Sequence, residues 1–155
     1  MATTNDAGET MYRFLECRAA QYMTANVIAV TPGMTMHELE ALFAEHDFNS
    51  FPVAEGGKVV GIVTKFDFLR NFAFTTGQML PRYTELMDRK VADVMTEAVV
   101  HVEPAASLTR VLQLMVHLRA RSLPVIDAGG KLMGMISRVD IMRALTDATQ
   151  GDAAR

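Results

Sequence analysis

Apolar and polar positions along the chain follow one succession of short runs and helical stripes, and this succession occurs twice. A β-branched run is followed by apolar residues at helical spacing, by two short apolar runs around a Gly-Gly pair, and by a second apolar stripe. In the first half these segments are residues 27–31, 36–43, 51–53, 59–63 and 66–74. In the second half they are residues 99–102, 108–118, 123–125, 132–136 and 139–145. The pattern predicts a β-α-β-β-α unit in tandem, within an α/β (α+β) fold class.

The spacing between matching positions is nearly constant, which identifies the two halves as an internal repeat. Thr24 and Thr96 are separated by 72 positions, and so are Pro32 and Pro104. The separation becomes 73 beyond Asp127, which is one extra residue before the second Gly-Gly turn. A turn absorbs one additional residue without a change in the elements on either side.

We expect five parts along the chain. Residues 1–10 are small and polar and are predicted to be disordered. The first repeat, with a lead-in helix, spans residues 11–74, and the second repeat spans residues 90–146. Residues 75–89 form a linker that is predicted to contain a turn and a short helix, and residues 147–155 are predicted to fray.

Composition and charge narrow the classes of function. The chain has 155 residues, 50% of them apolar, which suffices for one domain or for two small units that share a core. A net charge of −3 without a polybasic run argues against nucleic-acid or membrane-surface binding. Residues 1–10 contain no apolar run, so no signal peptide is expected. No apolar stretch of the sequence approaches the roughly 20 residues needed to cross a bilayer. We therefore expect a cytoplasmic location.

Residues for catalysis or metal binding are not found in recognisable patterns. Cys17 is the single cysteine, which excludes an internal disulfide and a multi-cysteine zinc site. His37 and Glu38 begin like a zinc-protease motif, but position 41 is Ala41 and the second histidine is missing. The glycine pairs are not followed by the Gly-Lys-Ser/Thr of a phosphate loop. We predict a protein that is not an enzyme and holds no metal.

One motif carries chemistry and occurs at the end of each predicted strand pair. Its first copy contains Gly61, Thr64, Lys65 and Asp67; its second copy contains Gly134, Ser137, Arg138 and Asp140. A hydroxyl residue followed after three positions by a carboxylate is a capping box, which would satisfy free N–H groups at a helix start. The same carboxylate can accept hydrogen bonds from the vicinal hydroxyls of a ribose, and the helix start suits a phosphate. The two interpretations are compatible and both remain open.

Taken in order, these motifs resemble a tandem pair of cystathionine-β-synthase (CBS) domains, also called a Bateman module. The residues that carry the resemblance in the first repeat are Met23-Thr24, residues 27–32, Phe51-Pro52-Val53, Gly56-Gly57, Gly61, Thr64 and Asp67. Those in the second repeat are Met95-Thr96, residues 99–104, Leu123-Pro124-Val125, Gly129-Gly130, Gly134, Ser137 and Asp140. The match covers residues 17–146, so the chain is similar to a stand-alone CBS-pair protein.

The resemblance implies a regulatory module rather than an enzyme. Relatives of this type pack their two repeats together with pseudo-two-fold symmetry and bind ligands in clefts between them. The ligands are adenosine compounds, namely AMP, ADP, ATP, S-adenosylmethionine or NAD, and no other cofactor is required. The resemblance also implies a homodimer and an unidentified regulated protein as a partner.

Further candidates for ligand contacts lie near the motif. Lys65 and Arg138 would suit an anionic ligand, or are solvated surface charges. Arg121 could bind phosphate bidentately, or form a surface ion pair. Ser50 and Ser122 could touch a ligand, or only bond to the backbone at a strand start. By resemblance, the adenine would lie against apolar side chains that also serve as strand core: Val27, Ile28, Val99 and Val100.

Two functions remain in competition. In the first, the protein senses an adenosine compound and a partner protein detects the resulting conformational change. In the second, it is an association module that binds no ligand, and its hydroxyl–carboxylate motifs only cap helices. Substituting Asp67 and Asp140 by alanine separates the two. Loss of binding with a retained fold indicates the first, and a cap-sized loss of stability alone indicates the second.

Overall fold

The structure is a computed structural model that describes residues 5–153. Its helices are α1 (Asn5–Glu16), α2 (Ala19–Tyr22), α3 (Met36–Glu45), α4 (Lys65–Arg70), α5 (Tyr83–Met87), α6 (Val91–Val94), α7 (Leu108–Leu118) and α8 (Arg138–Ala153). Its strands are β1 (Ser50–Glu55), β2 (Lys58–Thr64), β3 (Ser122–Ile126) and β4 (Leu132–Ser137). The strands form two antiparallel hairpins, β1–β2 and β3–β4.

The chain divides into two compact units that do not coincide with the two sequence repeats. Unit 2 is the continuous stretch Ile28–Val99, and unit 1 contains the residues before and after that stretch. Helices α1 and α2 therefore lie in unit 1 with the second repeat. Helices α5 and α6 lie in unit 2 with the first repeat.

Unit 2 is built around the β1–β2 hairpin. Its register pairs Ser50 with Thr64, and a bulge follows Val53. Val30 makes a parallel bridge to Val53, so the predicted first strand of this repeat is reduced to a single bridge. The core consists of buried side chains from the segment before α3, the hairpin, α3, α5 and α6: Val30, Met36, Leu39, Phe51, Val53, Val63, Met87 and Val91.

Unit 1 repeats this arrangement around the β3–β4 hairpin. Ser122 pairs with Ser137, and Val102 makes a parallel bridge to Val125. The core combines the helices before residue 28 with those after residue 100, through Phe14, Ala19, Val102, Leu108, Val111, Met115, Leu123, Val125, Ile136, Ile141, Ala144 and Ala148. The buried residues of α7 follow the apolar stripe that the sequence predicts.

Several element ends differ from the sequence-based expectation. Residues 5–10, expected to be disordered, form the first turns of α1, while residues 1–4 lie outside the described part. The predicted lead-in helix is broken at Arg18, whose extended backbone makes a bridge to Ser107. The tail 147–155 was expected to fray, but helix α8 continues to Ala153, and Ala148 extends its buried face. Residues 154–155 lie outside the described part. Helix α4 ends early because the Asn71 side chain donates to the carbonyls of the last turn.

Both repeats contain a Met-Thr segment and a glycine in the second strand of the hairpin, and the structure pairs these features between the repeats. The backbone of Thr24 pairs with Met135 beside Gly134, and the backbone of Thr96 pairs with Ile62 beside Gly61. Each Met-Thr segment thus packs on the hairpin of the other repeat. No helix of the part that the structure describes is both long and apolar enough to cross a membrane.

Candidate functional site

In unit 2 the motif forms a capping box at the junction of β2 and α4. The backbone N–H and the hydroxyl of Thr64 donate to Asp67 Oδ2, at 2.9 and 3.0 Å. The backbone N–H of Asp67 donates to Thr64 Oγ1 at 3.0 Å. The carboxylate is buried, with its side chain 7% exposed. The local sequence alone creates this geometry, because the two residues are one helical turn apart.

In unit 1 the same box joins β4 and α8. The N–H and the hydroxyl of Ser137 donate to Asp140 Oδ2 at 2.8 and 3.0 Å, and Asp140 N–H donates to Ser137 Oγ at 3.4 Å. The Asp140 side chain is 9% exposed. Asp67 and Asp140 are the buried charged residues of the described part of the chain. The capping interpretation is therefore realised in both repeats, and each cap also holds a buried carboxylate at a helix start.

Each carboxylate has an arginine one turn further along its helix, which the sequence reasoning missed. Arg70 Nη2 lies 2.6 Å from Asp67 Oδ1, and Arg143 Nη2 lies 3.5 Å from Asp140 Oδ1. The i,i+3 spacing on a predicted helix was the available signal. Because Oδ2 is used by the cap, Oδ1 is the oxygen that an incoming ligand would approach.

The hairpins bring several of the other candidates to the junctions. Ser50 pairs with Thr64, and Lys65 N–H donates to Asn49 O. Ser122 pairs with Ser137 in the same way. The strand start and the helix start are therefore adjacent within each unit, which places Ser50 beside Thr64 and Ser122 beside Ser137.

The basic candidates are directed to protein groups near the junctions. The Lys65 ammonium lies 6.0 Å from the centre of the Phe43 ring. Arg138 Nε donates to Ala120 O at 3.2 Å, and Arg138 N–H donates to Arg121 O. The exposed Arg121 thus lies next to Arg138 across the backbone of unit 1. A phosphate at this position would meet two guanidinium-bearing residues.

The four apolar candidates lie on the segments before α3 and α7, not at the strand–helix junctions. Ile28 is half-buried and packs against the core of unit 2. Val27 and Val99 are half-buried, and Val100 is exposed. Ile28 therefore serves as core, as expected. A contact of the four side chains with an adenine remains a proposal.

Unit 2 has a surface cleft beside α4, and unit 1 has one beside α8. The two clefts occupy matching positions, since Arg70 and Arg143 are equivalent in the repeat. The cleft of unit 2 has a volume of about 480 Å³ and includes Asp67, Arg70, Arg89 and Asp93. Apolar side chains of the same cleft are Phe74, Leu86, Val94 and Met95. The cleft of unit 1 has a volume of about 380 Å³ and is lined by Cys17, Gln21, Tyr22, Arg143 and Asp147. Both volumes fall in the range of small-molecule sites.

Burial and the charge of Asp147 shape the electrostatics of the unit 1 cleft. The Tyr22 hydroxyl donates to Asp147 Oδ2 at 3.0 Å. Burial, followed by this hydrogen bond and by the charge of Asp147, raises the pKa of Tyr22 above its usual range. Burial and the charge of Asp147 also raise the pKa of the Cys17 thiol, whose Sγ donates to Arg13 O. Both groups are neutral at physiological pH, so neither is an activated nucleophile.

Among the described residues, no group of three or more His, Cys, Asp or Glu side chains is arranged to hold a metal ion. The two hydroxyl–carboxylate junctions and these two clefts are candidate ligand sites.

Comparison with known proteins gives a consistent result. Residues 19–73 and 91–147 each match the family model of the CBS domain. The uncharacterized protein MJ0188 of Methanocaldococcus jannaschii is 30% identical over 137 residues, which cover 87% of this chain and 46% of that protein. The CBS domain-containing protein YhcV of Bacillus subtilis is 30% identical over 132 residues, covering 84% of this chain and 88% of that protein. The chain thus spans about half the length of MJ0188 and most of the length of YhcV.

Solved structures agree with the sequence matches. The crystal structure of CBSX2 in complex with AMP superposes with a TM-score of 0.72 at 25% identity, covering 84% of this chain and 96% of that chain. The resemblance to a tandem CBS pair and the mixed helix-and-strand fold class, both inferred from the sequence, are confirmed.

Proposed function

Because this chain belongs to the CBS domain family, we propose that it is a regulatory module that binds an adenosine compound through the carboxylates of Asp67 and Asp140. The observation that carries the proposal is the pair of buried carboxylates at repeat-equivalent helix starts, each with one oxygen taken by a cap. The structure of CBSX2 with AMP supports the ligand class, since that protein is similar over most of this chain.

The proposed contacts follow from the chemistry at each junction. A ribose hydroxyl donates to Oδ1 of the carboxylate, and the phosphate or other substituent lies toward the helix start. Thr64 with Lys65, and Ser137 with Arg138, are the hydroxyl and cation pairs available there. Ser50 and Ser122 lie at the adjacent strand starts, and Arg121 directly precedes Ser122. The adenine would lie against the apolar segments that contain Val27, Ile28, Val99 and Val100.

Thermal unfolding with AMP, ADP, ATP, S-adenosylmethionine and NAD tests the proposal. A compound present at about 100 times its dissociation constant stabilises the folded state by about 2.7 kcal/mol, which raises Tm by several degrees. We expect a shift with at least one compound, reduced in Asp67→Asn or Asp140→Asn and lost in the double variant. Asparagine keeps an oxygen for the cap but removes the charge.

A matched control separates binding from helix capping. Glu38 is the third residue of α3 and accepts from Thr35 N–H, as Asp67 does from Thr64 N–H, but it is exposed. Glu38→Gln should leave the ligand-induced shift unchanged. If none of the five compounds raises Tm, or if the double aspartate variant keeps the full shift, the sensor function is wrong.

Exposed apolar side chains favour a second property, self-association. On α4, Phe66 and Leu69 are 69% and 60% exposed, and on α8 the equivalent Val139 and Met142 are 72% and 67% exposed. Such side chains on repeat-equivalent helices suit a protein contact. We propose that they contribute to a homodimer, and that a regulated protein binds the ligand-dependent state.

Sedimentation equilibrium tests the homodimer. We expect a dimer for the wild type and a monomer for Val139→Asp with Met142→Asp, while Val116→Asp, at an equally exposed position of α7, serves as the control. A wild-type monomer at micromolar concentration would exclude this dimer. A cytoplasmic location remains part of the proposal and rests on the sequence composition.

A further inference from the structure

The two carboxylates differ in how tightly their arginines hold them. The 2.6 Å separation of Arg70 and Asp67 is a charge-assisted hydrogen bond, whereas the 3.5 Å separation of Arg143 and Asp140 is too long for one. The Oδ1 atom of Asp67, which a ribose hydroxyl would approach, is therefore engaged by Arg70. The Oδ1 atom of Asp140 is not held by its own arginine to the same extent.

Tyr22 accounts for the position of Arg143. The backbone oxygen of Tyr22 accepts a hydrogen bond from Arg143 Nη2 at 2.9 Å. The Arg143 guanidinium also lies over the Tyr22 ring, 5.6 Å from its centre, at cation–π distance. The Tyr22 hydroxyl is fixed in turn by Asp147. One residue thus offers Arg143 two contacts that compete with Asp140.

Unit 2 has no equivalent of this tyrosine. At the repeat spacing, Val94 corresponds to Tyr22 and Phe74 corresponds to Asp147. Valine has no ring on which a guanidinium can stack. Arg70 lies instead over Phe66 of its own helix, 5.7 Å from the ring centre, and keeps its short contact to Asp67.

We propose that Arg70 is an intramolecular competitor for the ribose site of unit 2, and that Tyr22 is a positioning residue that keeps Asp140 accessible by holding Arg143 aside. This inference rests on the proposed function and deepens it, since it ranks the two sites. A ligand at unit 1 meets a carboxylate oxygen whose arginine lies 3.5 Å away and makes no short hydrogen bond to it. A ligand at unit 2 has to displace Arg70 first, so unit 1 is the higher-affinity site.

Calorimetric titration of the full-length chain with AMP as the probe tests the ranking. The Asp67→Asn protein keeps only the carboxylate of unit 1, so its titration measures AMP binding at unit 1. The Asp140→Asn protein keeps only that of unit 2 and measures binding there. We expect tighter binding in Asp67→Asn. In the Asp140→Asn protein, Arg70→Met should raise the affinity about two- to fivefold, the upper range of a partly exposed ion pair. The matched Arg143→Met change in the Asp67→Asn protein should raise it less than about twofold.

A double-mutant cycle tests the role of Tyr22. Tyr22→Val removes the ring contact and leaves Arg143 only the backbone acceptor at position 22. In the Asp67→Asn protein this change should lower AMP affinity about two- to fivefold, because Arg143 then moves closer to Asp140. Adding Arg143→Met should restore the affinity, which a packing role of Tyr22 alone cannot explain. Tyr22→Phe, which keeps the ring and the backbone, should bind AMP within about twofold of the unsubstituted tyrosine.

The outcomes separate this inference from the function on which it rests. Equal AMP affinity in the two aspartate variants, no gain from Arg70→Met, or no rescue of Tyr22→Val by Arg143→Met overturns the inference and leaves AMP binding intact. Absence of AMP binding to the wild type also overturns the inference. The proposed function is then decided by the other four adenosine compounds.

Discussion

Single residues decide how closely the backbone segments of each unit approach one another. A Cβ atom added at Gly134 would lie 2.6 Å from the backbone oxygen of Thr24 and 2.9 Å from Met23 Sδ. At Gly61 the nearest atom would be the flexible Met95 Sδ at 2.7 Å, with the Thr96 oxygen at 3.0 Å. The backbone at Thr24 cannot retreat without losing its hydrogen bonds to Met135, whereas a methionine side chain can rotate.

We therefore expect Gly134→Ala to be more destabilising than Gly61→Ala. Gly134→Ala should lower the free energy of unfolding by about 2 kcal/mol, the cost of overpacking against a fixed backbone. Gly33→Ala is the control, because a Cβ atom there meets nothing within 4 Å. Urea unfolding of the three variants measures the differences. Equal losses for Gly134→Ala and Gly33→Ala would contradict the close approach.

The Cys17 thiol gives a prediction about pH at the same scale. Burial and then the negative charge of Asp147 disfavour the thiolate and raise the pKa of Cys17. Only the thiolate reacts, so alkylation by iodoacetamide should accelerate at a higher pH than it does for an unperturbed cysteine. Asp147→Asn removes one cause and should shift the rate profile toward lower pH. Glu16→Gln, whose charge is the weakest contributor, should shift the profile less.

The residues of the two sites were predictable from the sequence only where their contacts are local. Thr64 and Asp67 lie one helical turn apart, so the capping box followed from their spacing. The contact of Arg143 with Tyr22 joins residues 121 positions apart and depends on which rotamer Arg143 adopts. No periodicity in the sequence encodes that choice, and the difference between the two carboxylates was therefore not foreseen.

At the scale of elements, the equivalent helices α3 and α7 end in different ways. The C-cap residue of α3, His46, has an extended backbone, whereas that of α7, Arg119, is in the left-handed conformation, with φ of 54°. Ala120 N–H then donates to Met115 O, which closes the last turn. An arginine in this conformation costs about 1 kcal/mol relative to glycine.

Arg119→Gly should accordingly stabilise the protein by about 1 kcal/mol, because glycine adopts this conformation without a steric penalty. The matched change His46→Gly should destabilise it, since the backbone there is extended and glycine only adds entropy to the unfolded chain. Thermal unfolding of both variants gives the comparison. A loss of stability in Arg119→Gly would mean that the arginine side chain makes a contact worth more than the strain.

Element type followed from the sequence more reliably than element ends. The hairpins and the long stripes of α3 and α7 were predicted because periodicity and Gly-Gly turns are local signals. The β-branched runs before α3 and α7 were predicted as strands but make one parallel bridge each, at Val30 and Val102. The partner of a parallel strand is distant in the sequence, so the residues of the run alone do not determine how many of them pair.

At the scale of the whole molecule, the two compact units exchange their lead-in segments relative to the repeats. Val91, which belongs to the second repeat by sequence, is fully buried in the core of unit 2. Ala19, from the first repeat, is fully buried in the core of unit 1. The sequence pattern could not reveal this exchange, because the lead-in segments of the two repeats carry the same Met-Thr signal and would fit either hairpin.

The exchange predicts which part of the chain can fold as a fragment. Residues 28–99 contain every buried residue of the unit 2 core, including Met87 and Val91. A fragment of residues 11–74, which follows the sequence repeat, lacks these two. It instead carries Phe14 and Ala19, whose other buried core partners lie beyond residue 100. We expect cooperative urea unfolding, followed by circular dichroism, for the 28–99 fragment and a non-cooperative change for the 11–74 fragment.

Val91→Ala in the 28–99 fragment tests whether the segment from the second repeat stabilises the core of unit 2. Removing two methyl groups from a fully buried position should lower the free energy of unfolding by about 2 kcal/mol. Val99→Ala, at the half-buried end of the same fragment, should cost less than about 1 kcal/mol. If the 11–74 fragment unfolds as cooperatively as the 28–99 fragment, the lead-in helix of each repeat stabilises its own hairpin, and the exchanged core does not determine folding.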